Sequence, residues 1–189
     1  GVLNKSGFKT LVKHRFTKGI QFHIYYIVMD DSAFYKKALG KKEQTNLELC
    51  ILNSLKTNYN IHGNSVFRFY FGHYAVMILD KKNKNSVESV MKFIQDQIGI
   101  RWGFSSMDLA ISFRVCVIDS KIDVSGYREV SDLLDFFESN NKFKGGLLEA
   151  NSLDLFRVHS HSYLENSIQQ GLENKRFEVY YQPIFSAKE

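Results

Sequence analysis

The hydrophobic pattern of the chain is most regular between residues 66 and 79, where it predicts a β-hairpin. A period of two places the side chains alternately, with Val66, Arg68 and Tyr70 on one face and Phe67, Phe69 and Phe71 on the other. Tyr74–Leu79 is almost wholly apolar, which is typical of a central strand that is covered on both faces. The two strands would meet at a tip formed by Tyr70–His73.

The same pattern predicts the other elements. Strands are predicted at residues 22–29, 109–118 and 177–182, with a short edge strand at 153–158. Helices are predicted at residues 32–39, 46–59, 86–99, 127–137 and 163–172, while residues 1–20 predict a terminal helix or a frayed start. Helices separated by strands, with one direct hairpin, indicate an α/β or α+β sandwich with a mixed or antiparallel sheet.

Composition narrows the function classes. The 189 residues are 44% hydrophobic and carry a net charge of +5, which suits a domain with a buried core and a modestly basic surface. The densest basic run, Lys81–Lys84, lacks interleaved aromatic residues, so it predicts a solvated turn and no nucleic-acid site. No signal peptide or membrane span is present, so we expect a cytoplasmic location and no membrane contact from these residues. A membrane anchor would have to lie elsewhere in a longer protein.

Two motifs give the chain a resemblance to a known family. Ile27–Phe34 looks like a hydrophobic strand that runs into Asp-x-Asp-x-Phe-Lys, and Arg68–Ala75 stands where the family has Arg-x-Gly-Gly-Asp-Glu-Phe-Ala. With the two helices between them, these motifs resemble the GGDEF domain, the diguanylate cyclase fold of bacterial cyclic di-GMP signalling. The resemblance implies an α+β, palm-like domain over residues 1–158, with a ferredoxin-like βααββαβ core and a mixed, mainly antiparallel sheet flanked by helices.

The end of the chain resembles a second family. Leu164–Glu165 and Phe177–Ile184 look like the opening of an EAL domain, the cyclic di-GMP phosphodiesterase that often follows a GGDEF domain. Gln182 matches a glutamine that lies near the cyclic dinucleotide in that family. The resemblance implies that residues 159–189 are a linker helix and the first strand of a truncated EAL domain, which would be the partner in cis.

The signature of the GGDEF family is altered at the hairpin tip. Tyr70 and Phe71 replace the glycines that let the backbone approach the phosphates, and Gly72 replaces the acid that binds metal. His73 replaces the second acid, and a neutral imidazole is a poor ligand for Mg²⁺. Only Tyr74 and the following alanine keep the buried end of the motif. The resemblance therefore implies a degenerate site without catalytic residues.

The other half of the family's site is also eroded. Asp30 is left as a vestigial metal ligand, although a slip of one residue would put Asp31 there. An Asp pair at a strand end is more often a helix cap than a metal site. The family's second Asp, its Lys and its guanine-reading Asn and Asp are replaced by Ser32, Tyr35, Ala38 and Thr45. The inhibitory Arg-x-x-Asp motif is replaced by Ile61–Asn64.

Several functional hypotheses remain open at this point. The leading one is a catalytically inactive regulatory domain that controls or dimerises the EAL domain, with cyclic di-GMP bound through the full-length protein and no cofactor of its own. A GTP sensor that uses Mg²⁺ and GTP without turnover is one alternative, and a residual diguanylate cyclase is another. The tip aromatics would accordingly cover a disused groove or contact a partner, line a vestigial pocket, or support altered chemistry. His159 and His161 lack a third ligand and are expected to be surface residues.

Overall fold

The computed structural model describes residues 2–59, 65–79, 102–104, 107–109, 111–121, 124–139, 147–149, 160, 163–164 and 167–176. The helices are α1 (Lys5–Thr17), α2 (Ser32–Ala38), α3 (Lys41–Tyr59) and α4 (Tyr127–Ser139). The strands are β1 (Leu3–Asn4), β2 (Phe22–Met29), β3 (Ser65–Tyr70), β4 (His73–Leu79), β5 (Trp102–Phe104), β6 (Met107–Leu109), β7 (Phe113–Asp119) and β8 (Leu147–Glu149). The elements predicted at residues 86–99, 153–158 and 177–182 lie outside the described residues.

The strands form one large sheet with the apolar strand β2 near its centre. The order of this six-stranded sheet is β1-β3-β4-β2-β7-β8, and β5 pairs only with β6. The pairs of β2 with β4, β2 with β7 and β3 with β4 are antiparallel, whereas β1 with β3 and β7 with β8 are parallel. The sheet is therefore mixed and mainly antiparallel, and the predicted α+β class is confirmed.

Strand β2 is apolar except at His23, because helices cover both faces of the sheet. Alternate side chains of β2 enter two separate cores, which is the consequence of the period of two. One core lies against α3 and includes Tyr25, Ile27, Met29, Leu47, Ile51 and Leu55. The other lies against α1 and α4 and includes Phe8, Val12, Ile24, Tyr26, Val28, Val130, Leu133 and Phe137. The hairpin β3–β4 contributes side chains to both.

Some predicted boundaries are wrong. The first residues form helix α1 and a short edge strand, so the frayed start is excluded. Helix α3 begins at Lys41, five residues before the predicted start, because its first turn is polar and adds nothing to the apolar stripe. The predicted strand 109–118 is split between β6 and β7, and the three-residue edge strand β8 was not predicted.

The hairpin itself is confirmed, but its regular alternation is not. Arg68 pairs with Tyr74, whereas Tyr70 pairs with His73, so one extra residue is accommodated on β3. This β-bulge turns Tyr70 to the face that carries Phe69, and Phe71 enters the opposite core against α3. The predicted faces of Tyr70 and Phe71 are therefore wrong, because a period of two holds only while the register is regular.

The end of the described chain is helical at residues 160, 163–164 and 167–173. Its predicted apolar face is exposed to solvent at Tyr163, Leu164, Ile168 and Leu172. Among the described residues, no helix is both long enough and apolar enough to span a bilayer.

Candidate functional site

The tip of the hairpin is a tight turn that packs directly on the end of β2. Gly72 has a φ of +79°, a conformation that favours glycine at the third position of such a turn. Its carbonyl accepts a hydrogen bond of 2.8 Å from the N–H of Met29. A Cβ at this position would stand 2.7 Å from Cβ of Ser32 and 3.3 Å from Cβ of Met29. The turn therefore leaves no room for a side chain at residue 72.

Asp30, the candidate metal ligand, is buried at the end of β2 and is engaged by β7. Its Oδ2 accepts a hydrogen bond of 2.8 Å from the hydroxyl of Ser112, and its N–H donates to the carbonyl of Ser112. Nε of Arg114 lies 3.8 Å from Oδ1 of Asp30, and the two residues are 8% and 4% exposed. The carboxylate thus sits beside an internal cation. The next residue, Asp31, begins α2 with a φ of 52° and makes no capping hydrogen bond through its side chain.

A second carboxylate, that of Glu138 near the end of α4, gathers three side chains from the hairpin and β2. The hydroxyl of Tyr26 donates to Oε1 of Glu138, and that of Tyr70 donates to Oε2 at 2.5 Å. Nδ1 of His73 lies 3.0 Å from the hydroxyl of Tyr26 and 3.5 Å from Oε1 of Glu138. The rings of Tyr70 and His73 stack with centroids 4.0 Å apart. We call Tyr26, Tyr70, His73 and Glu138 the Glu138 cluster.

The electrostatics of the Glu138 cluster follow from these contacts. Burial alone would raise the pKa of Glu138, but hydrogen bonds from His73, Tyr26 and Tyr70 outweigh it and lower that pKa to about 2. Burial, reinforced by the hydrogen bond to Glu138, raises the pKa of Tyr26 and also that of Tyr70. The cluster is therefore a carboxylate held ionised by hydrogen bonds from His73 and from two neutral phenols, whose hydroxyl protons are donated to Glu138.

The opposite face of the hairpin is also tied to a helix. Nε and the terminal nitrogen Nη2 of Arg68 donate to the two carboxylate oxygens of Glu48 on α3, each at 2.9 Å. The hydrogen bond to Glu48 raises the pKa of Arg68. Tyr74 is fully buried beside this pair, and burial raises its pKa, as does the charge of Glu48. Glu48 of α3 and Glu138 of α4 thus bind the hairpin from opposite faces of the sheet.

Comparison with solved structures finds this architecture in bacterial diguanylate cyclases. The GGDEF domain of DgcB from Caulobacter crescentus, solved with c-di-GMP, matches with a TM-score of 0.65 and 11% identity over 80% of this chain and 90% of that chain. Diguanylate cyclase SiaD from Pseudomonas aeruginosa, solved with its activator SiaC, matches with a TM-score of 0.62 and 11% identity over 78% of this chain, which spans 58% of the SiaD chain. A diguanylate cyclase/phosphodiesterase from Caldicellulosiruptor saccharolyticus matches with a TM-score of 0.60 and 9% identity over 80% of this chain and 91% of that chain. No family model and no curated protein matches the sequence.

The agreement in three dimensions decides the fold. The chain has the fold of a GGDEF domain. At identities of 9–11%, the similarity shows the fold alone, and the chemistry of the site depends on the residues of this chain. In this fold the hairpin tip and the end of β2 are in contact, through Gly72 with Met29 and Ser32.

The structure places the remaining candidates apart from this contact. Tyr35 packs against the core on the α3 side, whereas Ala38 and Thr45 are exposed. The hydroxyl of Thr45 donates to the carbonyl of Lys41 within α3. Residues 61–64, His159, His161 and Gln182 lie outside the described residues. In the part of the chain that is described, no three residues of the His, Cys, Asp or Glu type form a group that could hold a metal ion.

Sequence reasoning missed three residues that determine the chemistry of the tip. Glu138 sits near a helix end, where a glutamate usually indicates a solvated position. Tyr26 lies in an apolar strand and reads as a core residue. Arg114 did carry a signal, because a charge inside the apolar run of β7 requires a buried partner. That partner is Asp30.

Proposed function

We propose that the chain is a GGDEF-fold regulatory domain that makes no cyclic di-GMP and controls or dimerises an EAL phosphodiesterase domain that follows it in the same protein. The EAL partner rests on the resemblance of residues 164–165 and 177–184 to the start of that domain. Cyclic di-GMP would be bound through the full-length protein, and the domain itself would need no cofactor.

The observation that carries the proposal is the packing of Gly72. The family places a metal-binding acid at this position, but here the backbone conformation and the contact with Ser32 both exclude a side chain. A divalent cation needs oxygen ligands to neutralise a triphosphate and activate the attacking hydroxyl. Residue 72 supplies no side-chain oxygen, so this half of the metal site is lost.

The surroundings of the tip support the same conclusion. Arg114 stands beside Asp30 as a fixed positive charge, so the remaining acid of the expected metal site is already paired. Phe71 is buried in the core, and Tyr70 is bonded to Glu138. Two bulky side chains thus stand where the family has glycines, and their contacts are made with the protein's own core and with Glu138. A tip of this kind offers little to a phosphate.

The C-terminal helix supports the regulatory half of the proposal. Leu164, Ile168 and Leu172 recur every four residues and are exposed, which is the spacing of an apolar helix face. In a tandem protein this face would contact the domain that follows, and it is the natural mechanical connection between the two. An exposed apolar stripe of this kind is costly in water unless a partner covers it.

The connection can be tested in the full-length protein. Replacing Leu164, Ile168 and Leu172 by Gln should change the rate of cyclic di-GMP hydrolysis several-fold, because the coupling surface is removed. A matched control replaces Gln169 and Gln170, which are exposed on the same helix, by Ala. Unchanged hydrolysis in the triple variant would contradict the coupling, and loss of folding is monitored by circular dichroism.

The GTP-sensor alternative is separated from this proposal by titration. A ligand shifts a neighbouring domain only through different affinities for its two states, so a sensor must first bind. Calorimetric titration of the 189-residue chain with GTP and Mg²⁺ should show no micromolar binding. Micromolar binding without turnover would replace the scaffold by a sensor.

A further inference from the structure

The net positive charge of the chain comes from its first 20 residues. Five of the 25 lysine and arginine residues precede residue 21, whereas the 20 acidic residues all lie at or beyond Asp30. The remaining 20 basic residues therefore balance the 20 acidic ones, and the whole net charge of +5 belongs to the first helical segment. Such asymmetry between parts of a chain points to an anionic partner.

Helix α1 presents this charge outward. Its apolar face is buried, with Phe8 and Val12 inside the core on the α4 side. Lys5, Lys9 and Lys13 are exposed along the helix, and Lys18 is exposed just beyond its end. Thirteen residues make a straight helix about 20 Å long. We call Lys5, Lys9, Lys13 and Lys18 the α1 lysines.

The neighbourhood of α1 neutralises only part of this charge. Nζ of Lys5 lies 5.7 Å from the ring centroid of Phe69 on β3, and Nζ of Lys9 lies 5.6 Å from that of Tyr127 at the start of α4. The charge of Lys5 also acts on the carboxylate of Asp135 on α4. Among the described residues, no ion pair involves Lys13 or Lys18.

We infer that the exposed face of α1 docks on the surface of an anionic lipid bilayer. The α1 lysines form an exposed basic strip, and clusters of four to eight basic residues associate with anionic headgroups. The apolar face of α1 is committed to the core, so the contact is electrostatic and peripheral, without insertion. Such a peripheral contact differs from the sequence-based expectation that these residues make no membrane contact, and it does not depend on the proposed function.

Nucleic acid is the less suitable partner. Single strands are bound in grooves with aromatic stacking platforms, and duplexes by elements that enter a groove. The solvent-facing positions of α1 carry lysine, serine, threonine and histidine but no aromatic residue. A flat array of phosphate headgroups matches it better.

The test is vesicle co-sedimentation of the full chain. Vesicles of phosphatidylcholine with phosphatidylglycerol should bind the protein at low salt, and pure phosphatidylcholine vesicles should not. Binding should fall steeply as the salt approaches about 0.15 M, where the screening length is about 8 Å. The variant K9Q/K13Q/K18Q should lower the partition coefficient roughly a hundredfold, the factor expected for three lysines at an anionic surface.

The matched control is K37Q/K41Q/K42Q. It removes the same charge from exposed lysines of α2 and α3, on the other side of the sheet. Thermal melts establish that both variants fold. An equal loss of binding in the two variants would overturn the inference. The net charge of the protein, and not the position of the α1 lysines, would then determine vesicle binding. Binding to neutral vesicles would overturn it too, as would tighter binding to a short duplex DNA than to anionic vesicles at the same salt.

Discussion

Residue 72 is where backbone and environment both exclude a side chain. Replacing Gly72 by Ala forces a Cβ to within 2.7 Å of Cβ of Ser32 and imposes the left-handed conformation on an alanine. We expect a loss of about 2–5 kcal/mol in the free energy of unfolding, from a backbone cost of about 1–2 kcal/mol and an overpacking cost of about 1–3 kcal/mol. Denaturant unfolding measures it.

Gly19 provides the matched control for this substitution. It also has a positive φ, of +62°, but an added Cβ would meet nothing within 4 Å. Gly19→Ala should therefore lower the free energy of unfolding only by the backbone cost, about 1–2 kcal/mol. If the two substitutions cost the same, the tip is not packed on Ser32, and the main support for a lost metal site disappears.

Glu138 holds the tip through hydrogen bonds that sequence alone does not reveal. In Glu138→Gln the acceptor loses its charge, so the hydroxyls of Tyr26 and Tyr70 lose charge-assisted bonds worth about 1.5–3 kcal/mol. Glu48→Gln is the control, since the pair with the exposed Arg68 should contribute about 1 kcal/mol or less. If chemical denaturation gave Glu138→Gln and Glu48→Gln the same loss in the free energy of unfolding, the Glu138 cluster would stabilise the fold no more than a surface ion pair does.

The same carboxylate predicts how stability depends on pH. The pKa of Glu138 is about 2 in the folded protein and 4.5 in the reference state, so the folded state favours the ionised form. Its contribution is fully present above about pH 4.5 and is lost as the pH falls toward 2. The stability of the wild-type protein should therefore fall more steeply across this window than that of Glu138→Gln. Parallel pH profiles from thermal melts would contradict the assigned cause.

At the scale of elements, strands β2 and β7 are joined by the buried pair Asp30–Arg114. Arg114→Met should cost about 3–5 kcal/mol because it leaves a buried carboxylate without its cation, and adding Asp30→Asn should restore most of the loss. Urea unfolding of the single and double variants measures this. Stabilisation of the wild-type protein by Mg²⁺ would show instead that Asp30 still binds metal.

The sequence predicted those elements whose pattern is regular over many residues. Strand β2, the hairpin and helix α4 were located correctly because apolar side chains recur at fixed periods over both faces of the sheet. The bulge after Arg68 could not be predicted, because it depends on Tyr70 reaching Glu138, a residue 68 positions away. Strand β8 is three residues long and gives no periodic signal.

The candidate site could be predicted only in part. The motif comparison located the tip and the end of β2, and the structure brings both together through Gly72. The charge of Arg114 within an apolar strand indicates a buried partner but does not identify it as Asp30, and nothing in the local sequence marks Glu138 as the partner of Tyr70. The ion-pair partner matters more than the motif here, because Arg114 determines whether the carboxylate of Asp30 is available to a metal.

For the whole molecule, the central claim is that the GGDEF fold survives while cyclase chemistry does not. The direct measurement is cyclic di-GMP formation by the purified chain with GTP and Mg²⁺, followed by liquid chromatography with mass spectrometry. An active GGDEF-type diguanylate cyclase assayed in parallel should accumulate product. We expect this chain to form none above the enzyme-free blank. Product that increases in proportion to the concentration of this chain would contradict it.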